Sequence, residues 1–256
     1  MKKMNFMTNL LALLLLIFSG LACEESEAPP EEPPTNNDEL PAVYEKIYGA
    51  SDIYLDGEFV VIKTEGIPDH NSPYYQDTEW ENDRYEAYNG SNSDFRLNPN
   101  RISSTEVTYR IPLNPTEASN KSATALGSMG VALNGVAFFN QYAGPNNEPL
   151  TFEINSFDQY AGHPQQQGTY HYHVEPFWLT QEKGQEALMG FLLDGFPVYG
   201  PMEDGNAVSN SDLDEFHGHE HPTEDFPDGI YHYHITDADP YINGSGYYGN
   251  PGTLTR

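Results

Sequence analysis

The chain spells Tyr-His-Tyr-His twice, in TYHYHV at 169–174 and IYHYHI at 230–235, although it has only nine histidines in all. In an extended strand successive side chains point to opposite faces. His171 and His173 therefore share one face, as do His232 and His234, and the tyrosines between them take the other. Cα atoms two apart on a strand lie about 6.5–7 Å from each other, so two imidazoles can meet on one ion bound at about 2.0–2.1 Å. A Gly-His pair precedes each copy across a short loop, which makes His163 and His219 the expected third ligands. Three imidazoles with a fourth position open form the ligand set of catalytic zinc, and they also suit copper. The expected cofactor is thus a transition metal ion, copper or zinc.

Further histidines extend the candidate set. His217 and His221, in FHGHEHP, are alternatives to His219, and His70, in IPDHNSPYY, is an additional candidate beside a loop reading of equal weight. Asp158 and Asp214 stand five residues before the Gly-His histidines and are expected to orient a ring by hydrogen bonding to it. Capping of their own loops is the competing expectation for both. A non-metal reading also exists, in which the tyrosines face a core and the histidines face water.

The elements that must position these residues are strands and turns. Leu55-Asp56-Gly57, Leu133-Asn134-Gly135 and Leu193-Asp194-Gly195 each divide two apolar runs, which predicts three β-hairpins with tight two-residue turns. EVTYRIP at 106–112 alternates and reads as a strand, whereas TQEKGQEAL at 180–188 supports at most a short helix, interrupted by Gly184. MGVALNGVAFFN at 129–140 matches MGFLLDGFPVYG at 189–200, and FDQYAGH at 157–163 matches LDEFHGH at 213–219. Each half, about 127–176 and 187–237, thus runs hairpin, Asp-x-x-x-Gly-His, Tyr-His-Tyr-His. The predicted fold is mostly β: a hairpin-rich, sandwich-like domain over 42–256, with long ordered loops and an internal pseudo-twofold duplication. Its two histidine clusters either stand apart or meet at the axis.

These segments together resemble the YHYH family of secreted bacterial proteins. The likeness extends upstream to EGIPDHNSPYY at 65–75 and RIPLNP at 110–115, and so covers most of residues 50–250. The resemblance implies an extracytoplasmic, β-rich protein and suggests metal, but it carries no particular activity. Family members often have cysteines around these motifs; this chain has none there, so no disulfide framework is carried over.

The N-terminal stretch MKKMNFMTNLLALLLLIFSGLAC reads as a signal peptide over 1–22, followed by Cys23, the single cysteine, placed for lipidation. Gly20 departs from the usual apolar residue at the start of such a lipobox. EESEAPPEEPPTNNDELP, from 24 to 41, has almost nothing to bury and is expected to tether the lipidated Cys23 to the domain. The predicted protein is an exported, membrane-anchored lipoprotein of the outer membrane or cell surface.

A net charge of −28 excludes nucleic acid as a partner and favours cations. No nucleophile elbow, phosphate loop or dinucleotide fingerprint is present. Three functions follow: metal capture, favoured here; metal-dependent hydrolysis with Glu175 or Asp214 as base; and recognition of a glycan or protein by tyrosines. In the last case GSGYYGNPG is expected to form an exposed aromatic platform.

Overall fold

The computed structural model describes residues 39–256; the signal peptide, Cys23 and most of the tether lie outside the described residues. Among these residues two main sheets are built from β1 (Ala50–Asp56), β2 (Phe59–Thr64), β3 (Val107–Pro112), β4 (Ser128–Ala132), β5 (Ala137–Phe139), β6 (Gly162–Pro164), β7 (Tyr170–Tyr172), β8 (Leu188–Leu192), β9 (Pro197–Tyr199), β10 (Gly218–His221), β11 (Ile230–His234) and β12 (Thr253–Thr255). The fold is mostly β, and it is sandwich-like.

The smaller sheet is antiparallel, in the order β1-β2-β3-β12. Burial alternates along β3, so Val107, Tyr109 and Ile111 face inward as their spacing predicts. The larger sheet has the order β10-β11-β9-β8-β4-β5-β7-β6, which is palindromic with respect to the two halves of the duplication. Each half contributes a hairpin and then its Tyr-His-Tyr-His strand, parallel to the second hairpin strand. An antiparallel Gly-His strand lies at each edge. The halves join at the centre through β4 and β8, where Val131 pairs with Phe191. One core holds Val60, Ile62 and Ile111 from the smaller sheet with Val131, Phe138, Phe191 and Val198 from the larger, and the Tyr109 hydroxyl meets Ser128 Oγ at 3.0 Å between them.

All three predicted hairpins form; the first keeps a two-residue turn, set one residue later than Asp-Gly, and the other two have longer turns. In the first, Asp56 pairs with Phe59 and the loop is Gly57–Glu58. In the other two the loop has three residues, Leu-Asn-Gly and Leu-Asp-Gly, closed by Ala132 N–H to Val136 O and Leu192 N–H to Phe196 O. Only the glycines, Gly135 (φ +81°) and Gly195 (φ +86°), take the left-handed conformation. Asn134 and Asp194 are freed for another task, described below. The helix near 180 also shifts: it spans Phe177–Lys183, buries Leu179 and Thr180, and ends at Gly184, whose positive φ stops it.

Candidate metal centres

Strand register builds each centre. His163 on β6 is the direct antiparallel partner of His171 on β7, and His219 on β10 is the partner of His232 on β11. Side chains that face each other across an antiparallel pair stand about 4.5–5.5 Å apart at Cβ. The third ring enters two residues along the motif strand, on the same face. The Nε2 atoms consequently converge, with His171 Nε2 3.1 Å from that of His163 and 3.0 Å from that of His173. In the second centre His232 Nε2 lies 3.2 Å from His219 Nε2 and 3.1 Å from His234 Nε2.

His219–His232 aside, these contacts are not hydrogen bonds. His171 Nδ1 donates to Thr169 O at 3.1 Å, and His173 Nδ1 donates to Asn140 O. Likewise His232 Nδ1 reaches Ile230 O at 2.9 Å and His234 Nδ1 reaches Gly200 O at 2.8 Å. A backbone carbonyl only accepts, so each Nδ1 carries the proton and each Nε2 is left with a lone pair. His163 follows the same rule through Ser156 Oγ, 2.7 Å from its Nδ1, because that hydroxyl spends its own proton on Glu153 O. Lone pairs turned toward one another repel unless a cation lies between them. Two nitrogens bound to one tetrahedral ion at about 2.0–2.1 Å are about 3.3–3.4 Å apart, a spacing that two of the three nitrogen pairs in each cluster nearly have already.

Burial keeps the four motif imidazoles neutral and so ready to bind. It drives His171 well below the ordinary imidazole range, helped by the charges of His163 and His173, and lowers His173 to about 4. His232 is likewise pushed down to about 4 by burial, and His234 is lowered for the same reason.

Each centre also includes a glutamate that spacing did not reveal. Glu153 joins His163, His171 and His173, and Glu203 joins His219, His232 and His234, with all ligand atoms of a centre within 4.8 Å of one another. Burial raises both carboxyls, but the neighbouring imidazoles, led by His163 for Glu153 and His219 for Glu203, outweigh it and hold both below their usual value. The two glutamates are not equivalent in the repeat. Glu153 opens a short helical turn, Glu153–Ser156, just before the Asp-x-x-x-Gly-His element, whereas Glu203 lies on a two-residue strand directly after the second hairpin. Because each half supplies its carboxylate from a different place, comparison of the two halves gave no signal for either.

Asp158 and Asp214, expected to orient the imidazoles, do not touch them. Their carboxylates accept from the motif tyrosines on the opposite face: Tyr170 Oη reaches both Asp158 oxygens at 2.9 Å, and Tyr231 Oη reaches Asp214 Oδ1 at 2.9 Å. They also cap their own loops, through Tyr160 N–H and Phe216 N–H. The backbone carbonyls have taken over the orienting task. The second tyrosine of each copy docks on a hairpin turn, with Tyr172 Oη 3.1 Å from Asn134 Nδ2 and Tyr233 Oη 2.6 Å from Asp194 Oδ2. The motif therefore works on two faces, with histidines toward an ion and tyrosines locked into the loop and the turn.

The remaining candidates divide. His70 is buried on the tyrosine side, with Nε2 3.1 Å from Tyr172 Oη, and takes no part in either centre. His217 sits in a left-handed turn with Nε2 3.0 Å from Thr236 Oγ1, also away from the ligands. His221 flanks the second centre, its Nδ1 3.2 Å from Glu203 Oε1. Neither base named for hydrolysis faces an ion site: Glu175 accepts from Thr180 Oγ1 at 2.7 Å, and Asp214 is held by Tyr231. Nor does GSGYYGNPG form an open platform, because Tyr247 is buried and Tyr248 stacks on Tyr231 at 3.5 Å.

Each centre lies at the base of a cleft. The first opens into about 630 Å³ walled by Asn and Gln side chains of 98–100 and 165–167, and the second into about 510 Å³ lined by charged residues such as Lys183, Asp204 and Asp225.

No curated protein and no solved structure matches the chain. Its sequence does match the family described as YHYH protein, over residues 108–210 and 202–246. These two segments carry both hairpins, both Gly-His strands and both Tyr-His-Tyr-His strands, and the chain therefore belongs to the YHYH protein family.

Proposed function

We propose that this protein binds two transition metal ions, one in each half, as an extracytoplasmic lipoprotein that captures and holds metal. The observation that carries the reading is the inward convergence of three Nε2 atoms in each half, with the Nδ1 protons of the four motif histidines committed to backbone carbonyls. Such an arrangement suits a cation. Nitrogen and carboxylate ligands without thiolate suit divalent zinc or copper. Export and anchoring rest on the leader and Cys23 alone, and the acidic surface attracts cations from solution.

Capture is favoured over hydrolysis at the sites first considered, because Glu175 and Asp214 are engaged elsewhere. Recognition by the motif tyrosines loses its support, since Tyr170, Tyr172 and Tyr233 are fully buried. The test is isothermal titration of metal-free protein with zinc and with copper. Saturable binding of two ions per chain supports capture, and heats indistinguishable from dilution contradict it.

A further inference from the structure

The two centres have the same histidine geometry but place their carboxylates differently. Glu203 Oε1 is central, 3.3, 3.4 and 3.5 Å from the Nε2 atoms of His219, His232 and His234, with His221 Nδ1 behind it at 3.2 Å. It fills the fourth corner of the cluster. Glu153 Oε1 instead makes its one close approach to His163 Nε2, at 3.3 Å, with the carboxylate within 4.8 Å of the other two ligand nitrogens, so it stands beside the cluster, off the corner that Glu203 fills in the second centre. Its position is fixed through the same short turn that orients His163, since Ser156 Oγ donates to Glu153 O and receives His163 Nδ1–H. The cleft above this corner is the larger of the two, and among the described residues lining it Glu153 is the sole acid and, beside the three histidines, Arg256 the sole basic residue.

We infer that the first centre holds its ion with three histidines and keeps one coordination position for an exogenous protic ligand from the cleft, with Glu153 accepting that ligand's hydrogen bond, while the second centre is closed by Glu203. This rests on the metal reading above. Three protein ligands, an open corner and a carboxylate beside it are the parts from which metal sites acting on bound molecules are built. A four-ligand centre is the form that merely retains its ion. The duplication thus yields one receptive site and one closed site. A ligand class follows from the walls: a small molecule with a protic oxygen at the metal end and neutral polar groups to meet the amides of Asn100 and Gln165–Gln167.

Cobalt(II) loading followed by titration with acetohydroxamate tests the difference without any assumption about turnover, because the visible spectrum of the ion reports its coordination. His232→Ala/His234→Ala, which keeps only the first centre, should show a saturable spectral change. His171→Ala/His173→Ala, which keeps only the second, should show none. Glu153→Gln should keep cobalt affinity at both centres and weaken hydroxamate binding about tenfold, the loss of one charged hydrogen bond, whereas Glu203→Gln, left with the same three histidines as the first centre, should hold its ion more weakly. Equal responses from both centres, no response from either, or loss of an ion in Glu153→Gln would each overturn the inference. If a double variant fails to fold, as circular dichroism would reveal, the two glutamine variants carry the comparison alone. Absence of cobalt from every form would instead remove the metal reading itself.

Discussion

At the scale of single residues, each centre is an exercise in assigning protons. Every motif histidine gives its Nδ1 proton to a carbonyl, so its Nε2 has only a lone pair to offer. The tyrosines between them give their protons to carboxylates or meet an amide. Tyr170→Phe should therefore cost about 1–3 kcal/mol of unfolding free energy by leaving Asp158 short of a donor, yet retain the metal; urea unfolding and metal analysis of the same sample check both. Asp194 gives a pH signature. Burial raises its carboxyl to about 6 despite the hydrogen bonds from Tyr233 and Gly249. This folded value lies above the unfolded one of about 3.9. The neutral acid therefore adds stability that is complete below about pH 4 and is lost as pH rises through about 6. Relative to Asp194→Asn, metal-free wild type should lose about 3 kcal/mol across that interval. A difference that stays flat with pH would show that Asp194 is ionised throughout.

At the scale of elements, what places the third ligand is the pairing of a Gly-His strand against a Tyr-His strand. The glycine is required there. A Cβ on Gly162 would lie 2.5 Å from the Tyr170 ring, and one on Gly218 would lie 2.4 Å from His232 O and 2.5 Å from Tyr231 Oη. Gly218→Ala should push β10 off β11, destabilise the fold by about 1–3 kcal/mol and weaken the second centre while sparing the first, as metal titration would resolve. An unchanged second centre would mean that the edge strand can shift freely. Much at this scale was legible in the sequence: the His-x-His spacing, the Gly-His partners, the hairpins and the two-faced alternation all follow from strand periodicity. The turn type was not, because Asn134 and Asp194 look like positive-φ residues in the sequence but act as docking points for Tyr172 and Tyr233. The role of Asp158 and Asp214 was misplaced for a related reason. Five residues of separation say that a carboxylate is near a histidine but not on which side of a sheet it lies. Glu153 and Glu203 were invisible, since they come from different elements of the repeat, a short helical turn in one half and a two-residue strand in the other.

At the scale of the whole molecule, the palindromic strand order decides how many centres there are. The duplicated halves meet through their first hairpin strands, β4 and β8, so the histidine strands are driven outward. Five strand steps separate β7 from β11, roughly 24 Å along the sheet at about 4.8 Å per step. No ion can be shared over that distance. Sequence exposed the duplication but left open whether the clusters meet, because that depends on which strands pair across the centre. Elemental mass spectrometry of the metal-loaded protein, made without a histidine tag, tests this most directly. The account predicts two ions per chain in the wild type and one in each of His171→Ala/His173→Ala and His232→Ala/His234→Ala. Loss of all metal in either variant, or none in the wild type after exposure to zinc and copper, would contradict it.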